Sequence, residues 1–321
     1  MKKFTKLALV SSLAISANAM AMQAMDDASL GATTGQDGIS IGIGISKIEI
    51  EKLFIHDNDG LAAAGAAGEA GYGGTGQAGA IYIKGNGAGA TLTKGIVIGA
   101  NYDNGGAYLL ASRNLADLKI DSDAGGGNPF INIAAQVSGL DINIGEIGVV
   151  ASGVEGGTAT SIRRGGTGQE NAILTGLSVK TGPMTANIQL GAAPQGAMIK
   201  LNATMIGGLT ITDLGILDNS TKTATRAAGV IHLDKIQVAD ANGRDLTLNQ
   251  SISVIGEEGA DKGYVRMVST SGAHDSYIKG IHLGSKTASS IGDMEIQGMQ
   301  TFFSPALGQY VPGAVITIRG H

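Results

Sequence analysis

Ile39, Ile41, Ile43 and Ile45 alternate with Ser40, Gly42, Gly44 and Ser46. A strict period of two places every branched aliphatic residue on one face and every small residue on the other. This predicts a half-buried strand over residues 39–46. The small face admits close approach of another backbone or sheet. Ile39, Ile41, Ile43 and Ile45, near the start of the chain, are candidates for an assembly strand. The plainer expectation is a core strand of the chain's own domain.

From Lys47 the phase shifts, and Ile48, Ile50, Leu53 and Ile55 follow. The spacing aliphatic-x-aliphatic-x-x-aliphatic-x-aliphatic returns at Ile142, Ile144, Ile147 and Val149. It returns again at Leu209, Ile211, Leu214 and Ile216, and at Ile231, Leu233, Ile236 and Val238, with a weaker trace at Met294, Ile296 and Met299. The extra residue reverses the side-chain phase, as a bulge or corner between two short strands does. Asp57, Asp218 and Asp240 each follow a copy by two residues. The copies are irregularly spaced, so no fixed solenoid period is present.

Further strands are predicted near 81–84, 94–100, 107–111, 130–134, 173–180, 184–190, 197–206, 246–254, 263–269 and 276–283, with a last one from Ala314. Turn clusters fall at 121–128, 152–168, 239–245 and 256–263. Residues 60–90 are a Gly/Ala-rich loop with one embedded strand. The pattern predicts an all-β protein: elongated bent sheets or an irregular β-solenoid, with a β-sandwich as the alternative. Residues 39–321 read as one β-rich domain, preceded by an N-terminal segment over 22–38.

Composition sharpens this picture. The chain has 52 glycines in 321 residues, no cysteine or tryptophan, and only 4% aromatic residues. Glycine at that level suits turns and close backbone approach rather than long helices. Lys2, Lys3 and Lys6 precede an apolar run from Leu7 to Ala17 and two small-x-small sites ending at Ala19 and Ala21. This is the pattern of a cleavable signal peptide over residues 1–21, too short to span a membrane as a helix. Losing its three lysines takes the formal net charge from −5 to −8. That charge argues against nucleic acid and anionic lipid as partners. The expected location is the periplasm, the cell surface or a pilus, and no disulfide supports the fold there.

Chemical motifs are sparse. Gly38-Ile39-Ser40-Ile41-Gly42 fits the serine-hydrolase elbow pattern, but it opens a flat alternating strand rather than a strand-to-helix turn. Gly71-Tyr72-Gly73-Gly74-Thr75-Gly76 fits a dinucleotide fingerprint, but an Ala/Gly tract precedes it where a strand is required. Asp57-Asn58-Asp59-Gly60, Asp121-Ser122-Asp123 and Asp240-Ala241-Asn242-Gly243-Arg244-Asp245 are acidic turns. They are read as turn chemistry, with structural calcium as the alternative. His232 and His282 each sit in an Ile-His-Leu triplet, which predicts exposed strand positions. No catalytic residue, cofactor-binding residue or metal ligand is assigned.

The segments Met22-Gln23-Ala24-Met25-Asp26-Asp27 and Thr34-Gly35-Gln36-Asp37-Gly38-Ile39 resemble the start of the Fil-type pilus-system proteins of gammaproteobacteria. A broader family of unknown function shares this N-terminus. The resemblance covers about 25 residues and implies surface or pilus-associated export. It transfers no catalytic residue. The expected function is an exported structural or adhesion subunit of a pilus-like surface assembly, not an enzyme. It would act by strand pairing with other pilus-system or surface proteins, or with itself. Two other classes stay open: a secreted β-helix carbohydrate-active protein and an outer-membrane β-barrel.

Overall fold

The computed structural model describes residues 38–63, 65–154, 161–256 and 263–320. The signal peptide and almost all of the 22–38 segment lie outside them. Contacts divide the chain into Met1–Ile39 and Ser40–His321.

The chain runs back and forth in eight legs. Leg 1 holds β1 (Ile39–Ile43), β2 (Lys47–Ile50) and β3 (Lys52–Asp57). Leg 2 returns through β4 (Gly79–Lys84), β5 (Ile96–Ala100) and β6 (Ala116–Asp123). Leg 3 holds β7 (Phe130–Val137), β8 (Leu140–Ile144) and β9 (Glu146–Ser152). Leg 4 holds β10 (Gly166–Leu174), β11 (Leu177–Lys180) and β12 (Met184–Gly191). Legs 5 and 6 are β13 (Ile199–Met205) with β14 (Leu209–Asp218), and β15 (Gly229–Asp240) with β16 (Leu246–Ile255). Leg 7 is β17 (Tyr264–Ser269) with β18 (His274–Leu283). Leg 8 is β19 (Met294–Met299) with β22 (Ala314–Ile318), separated by the hairpin of β20 (Phe302–Phe303) and β21 (Val311–Pro312).

Each leg pairs with the next. An eight-stranded sheet has the order β1-β6-β7-β12-β13-β16-β17-β22, one strand per leg. A twelve-stranded sheet carries the rest of the legs in the same order. The registered pairings are antiparallel, as hairpin connections require. The bent-sheet expectation therefore takes the form of one continuous meander, unlike the parallel stacking of solenoid coils. Legs 1 and 8 are not paired with each other, so the meander is open and not a barrel.

Two seams cross the legs where the ladder lapses. The recurring sequence unit marks one of them. Glu51 separates β2 from β3, and Gly145 separates β8 from β9. In β14 and β15 the register passes from Thr212↔Lys235 to Leu214↔Leu233. Asp213 and Asp234 are left between, with Asp213 at φ 61°. The phase reversal is thus a corner on each of legs 1, 3, 5 and 6. Gly145 is required there because a β-carbon would lie 2.1 Å from the Lys84 carbonyl oxygen. At the other seam, side chains replace missing ladder bonds. Asn101 Nδ2 donates to the Thr181 carbonyl (3.0 Å), and Leu140 N donates to Thr181 Oγ1 (2.9 Å). Ser138 Oγ donates to the Asn114 carbonyl (2.7 Å) and accepts from Leu110 N (3.0 Å).

Between the seams, aliphatic residues form rows across the legs. One row is Ile48↔Ile98↔Ile142↔Val179↔Ile211↔Ile236↔Ile278↔Met294, one residue from every leg. In the eight-stranded sheet a second row is Ile120↔Ile133↔Ile188↔Ile199↔Ile252↔Met267↔Ile316. Such cross-strand pairs contribute roughly 0.2–1 kcal/mol each. They carry more weight here than a central core does. Among the described residues only seven hydrophobic side chains are buried, including Ala80, Tyr82 and Val150, which pack with Phe54.

Three sequence expectations change. The first strand ends at Ile43, and residues 44–46 cross a seam, so Ile45 is outside β1. Residues 107–111 form turns instead of a strand, and Gly139 N donates to the Tyr108 carbonyl (2.7 Å), holding the segment over the seam. The strand β6 extends to Asp123, inside a predicted turn cluster.

Candidate functional site

The candidate assembly strand lies on an open edge. β1 is the outermost strand of the eight-stranded sheet, and β22 is the outermost strand at the opposite side. Each has five residues, and neither carries a charge. Ile39 and Ile41 are exposed, Ile43 is half-buried, and Ile45 is exposed beyond the strand end. On β22, Ile316 and Ile318 are exposed. An uncharged edge strand presents unpaired N–H and C=O groups to any chain that meets it, and natural proteins usually blunt such edges with charge. β1 pairs on one side with β6 and is open on the other among the described residues.

The same openness ends the aliphatic rows. Ile98, Ile142, Val179, Ile211, Ile236 and Ile278 are half-buried between their neighbours. The terminal members Ile48 and Met294 are exposed, at 37% and 43%. Ile316, ending the second row on leg 8, is exposed as well. A polar row runs beside the first: Lys47↔Gly99↔Asp141↔Lys180↔Thr210↔Gln237↔Tyr277↔Glu295. Its ends carry opposite charges.

The two triplet histidines correct the sequence reading. They are not exposed strand residues. His232 is fully buried and His282 mostly buried, facing each other across β15 and β18 with ring centroids 5.8 Å apart. Asp234 Oδ1 stands 3.4 Å from Nε2 of both rings. Asp213 Oδ1 is 3.5 Å from His232 Nε2 and is paired with Lys286. Burial lowers the His232 pKa against the pull of Asp213. The Ala288 carbonyl, bound by His282 Nδ1 at 2.6 Å, raises that of His282. The group joins legs 5, 6 and 7 at the seam. Alternation signals that these histidines avoid the aliphatic row, but not that the opposite face closes over them.

Another histidine contact was invisible in sequence. His56 Nδ1 lies 2.9 Å from Ser152 Oγ, 96 residues away. The serine hydroxyl donates to the Gly79 carbonyl at 2.7 Å, so its proton is committed to the backbone and the pair ties strand ends together. Beside it, Tyr82 Oη donates to Glu146 at 2.8 Å, and Lys84 bridges Glu146 and Glu170. Burial, then Glu146, pushes the Tyr82 pKa up.

The acidic turns cap backbone. Asp57 Oδ1 accepts from Gly60 N, Asp123 Oδ1 from Gly125 N, and Asp218 Oδ1 from Ser220 N. Asp240 receives Thr247 N and Oγ1. Among the described residues no group of three or more His, Asp or Glu is arranged to hold a metal ion. Ser40 lies within β1, and Gly71–Gly76 lies in a turn-rich loop. No described helix is long and apolar enough to cross a membrane.

Residues 1–125 match the model of a family described as a family of unknown function (DUF6160). The match ends two residues past β6 and so includes legs 1 and 2. No curated protein and no solved structure matches the chain.

Proposed function

We propose that this chain is an exported structural or adhesion subunit of a pilus-like surface assembly, acting by strand pairing and not by catalysis. The observation that carries this reading is the uncharged edge of β1, unpaired among the described residues and opposed at the far side of the meander by an equally uncharged β22. Main-chain hydrogen bonds at such edges supply affinity, and the alternating side chains set register. The signal-peptide pattern supports export, and the likeness of Met22–Asp27 and Thr34–Ile39 to pilus-system proteins supports the surface assembly.

The test replaces Ile41 and Ile43 with aspartate and measures surface polymers alongside the amount of folded, exported chain. Charge on an edge strand blocks pairing without emptying a core. The reading expects normal export with polymers lost. Normal polymer formation by the variant overturns it.

A further inference from the structure

The partner of the open edges can be read from the rows that end on them. We propose that copies of this chain join head to tail, leg 8 of one against leg 1 of the next, so that the meander continues without a break. This rests on the strand-pairing reading above and names its partner as a second copy.

Direction is the first support. Leg 1 runs from the eight-stranded sheet into the twelve-stranded one, from β1 to β2. Leg 8 runs the opposite way, from β19 to β22. Leg 8 beside leg 1 of the next copy is therefore antiparallel, as every other registered neighbour in the meander is. β22 and β1, the outermost strands of the eight-stranded sheet, each have five residues.

Register is the second support. The aliphatic row ends in Met294 on leg 8 and Ile48 on leg 1, and both are exposed. Setting Met294 opposite Ile48 of the next copy extends the row. Antiparallel counting then places Glu295 opposite Lys47 without further adjustment. Opposite charges on facing residues favour this register, and a slip by one would set each aliphatic end against a charge. One step on, Asp293 meets Glu49. Both carboxylates already have partners: Glu49 has Lys47 and Lys94, and Asp293 accepts from Tyr277 Oη and Gly280 N.

The two joined surfaces differ, so the contact is heterologous. It leaves a free leg 1 and a free leg 8 after every addition, and growth is open-ended. The same pairing within one chain would close a barrel, and the test separates the two.

The absence of cysteine makes the test direct. Directly opposed strand residues have Cα atoms about 4.5–5.5 Å apart, within disulfide reach. The double variant Ile48→Cys, Met294→Cys is oxidised mildly as folded, exported protein and resolved on a non-reducing gel. The expected result is a ladder of covalent multimers. Mixing the two single variants gives dimers whose disulfide mass spectrometry maps to position 48 of one copy and position 294 of the other, and neither single variant alone gives dimers efficiently. An internally cross-linked monomer overturns the proposal in favour of closure, and no cross-link overturns it outright. Lys47→Glu lowers ladder yield about threefold per joint, and adding Glu295→Lys restores it. Failure of the ladder while the Ile41/Ile43 variant still abolishes surface polymers overturns self-joining and leaves strand pairing standing with another protein as partner. A ladder together with polymers indifferent to Ile41 and Ile43 supports self-joining and removes the role of β1 in the surface assembly.

Discussion

A β-carbon on Gly280 would lie 2.1 Å from Oδ2 of Asp234, the carboxylate between His232 and His282. Gly280 also adopts φ 67°, a left-handed conformation. The seam at leg 7 thus needs glycine for both space and conformation. Gly280→Ala is expected to destabilise the protein by about 1–3 kcal/mol. Gly284→Ala is the control: its φ is 86° but open space surrounds it, so it loses only the conformational part. Urea denaturation of both variants measures the difference.

The buried histidines give opposing pH dependences. His232 has its pKa lowered, by burial first, so on acidification the unfolded chain takes up a proton before the folded one. Stability therefore falls as the pH drops below about 6.5, the unfolded value. His282 has its pKa raised by the Ala288 carbonyl first, and then by Asp234. Its contribution is full below that unfolded value and is lost as the pH rises through the higher folded value. His232→Gln is expected to lose less stability than the natural chain between pH 7 and pH 5, and His282→Gln to lose more. Denaturation midpoints across that range check both slopes, whatever constant offset each substitution adds.

Tyr82 anchors the one compact apolar cluster found among the described residues. It is fully buried with Ala80 and Val150 against it, and its hydroxyl donates to Glu146. Tyr82→Phe removes a hydrogen bond to a charged acceptor and is expected to cost about 1.5–3 kcal/mol. Tyr82→Ala empties the site and is expected to cost about 3–5 kcal/mol. Thermal unfolding at neutral pH separates them. Equal effects would mean that packing of the ring contributes nothing.

Local pattern made much of the fold legible. The Ile48, Ile50, Leu53, Ile55 unit and its three full copies mark seam crossings because phase reversal is a property of neighbouring residues, whereas the trace at Met294, Ile296 and Met299 falls at a register shift opposite His274 and Ser276. The Ile39–Ser46 alternation identified β1 but overran it, since nothing in Gly44 or Ser46 signals that pairing lapses there. β6 was hidden because Asp121, Ser122 and Asp123 favour turns in isolation. In the sheet, Asp121 stands beside Asn132 and Gln189, where a polar row forms. The histidine seam and the opposed charges of Lys47 and Glu295 were out of reach for a different reason. Both depend on the register of legs far apart in sequence, which no local period contains.

Edge pairing is most directly tested by hydrogen exchange on assembled surface material compared with the isolated chain. The outward-facing amides of Ile39–Ile43 and Ala314–Ile318, those not bonded to β6 or β17, are expected to exchange fast in isolation and become protected on assembly. Strands inside the meander, such as β8 and β11, should change little. Assembled material whose two edge strands exchange as fast as in the isolated chain would contradict the account.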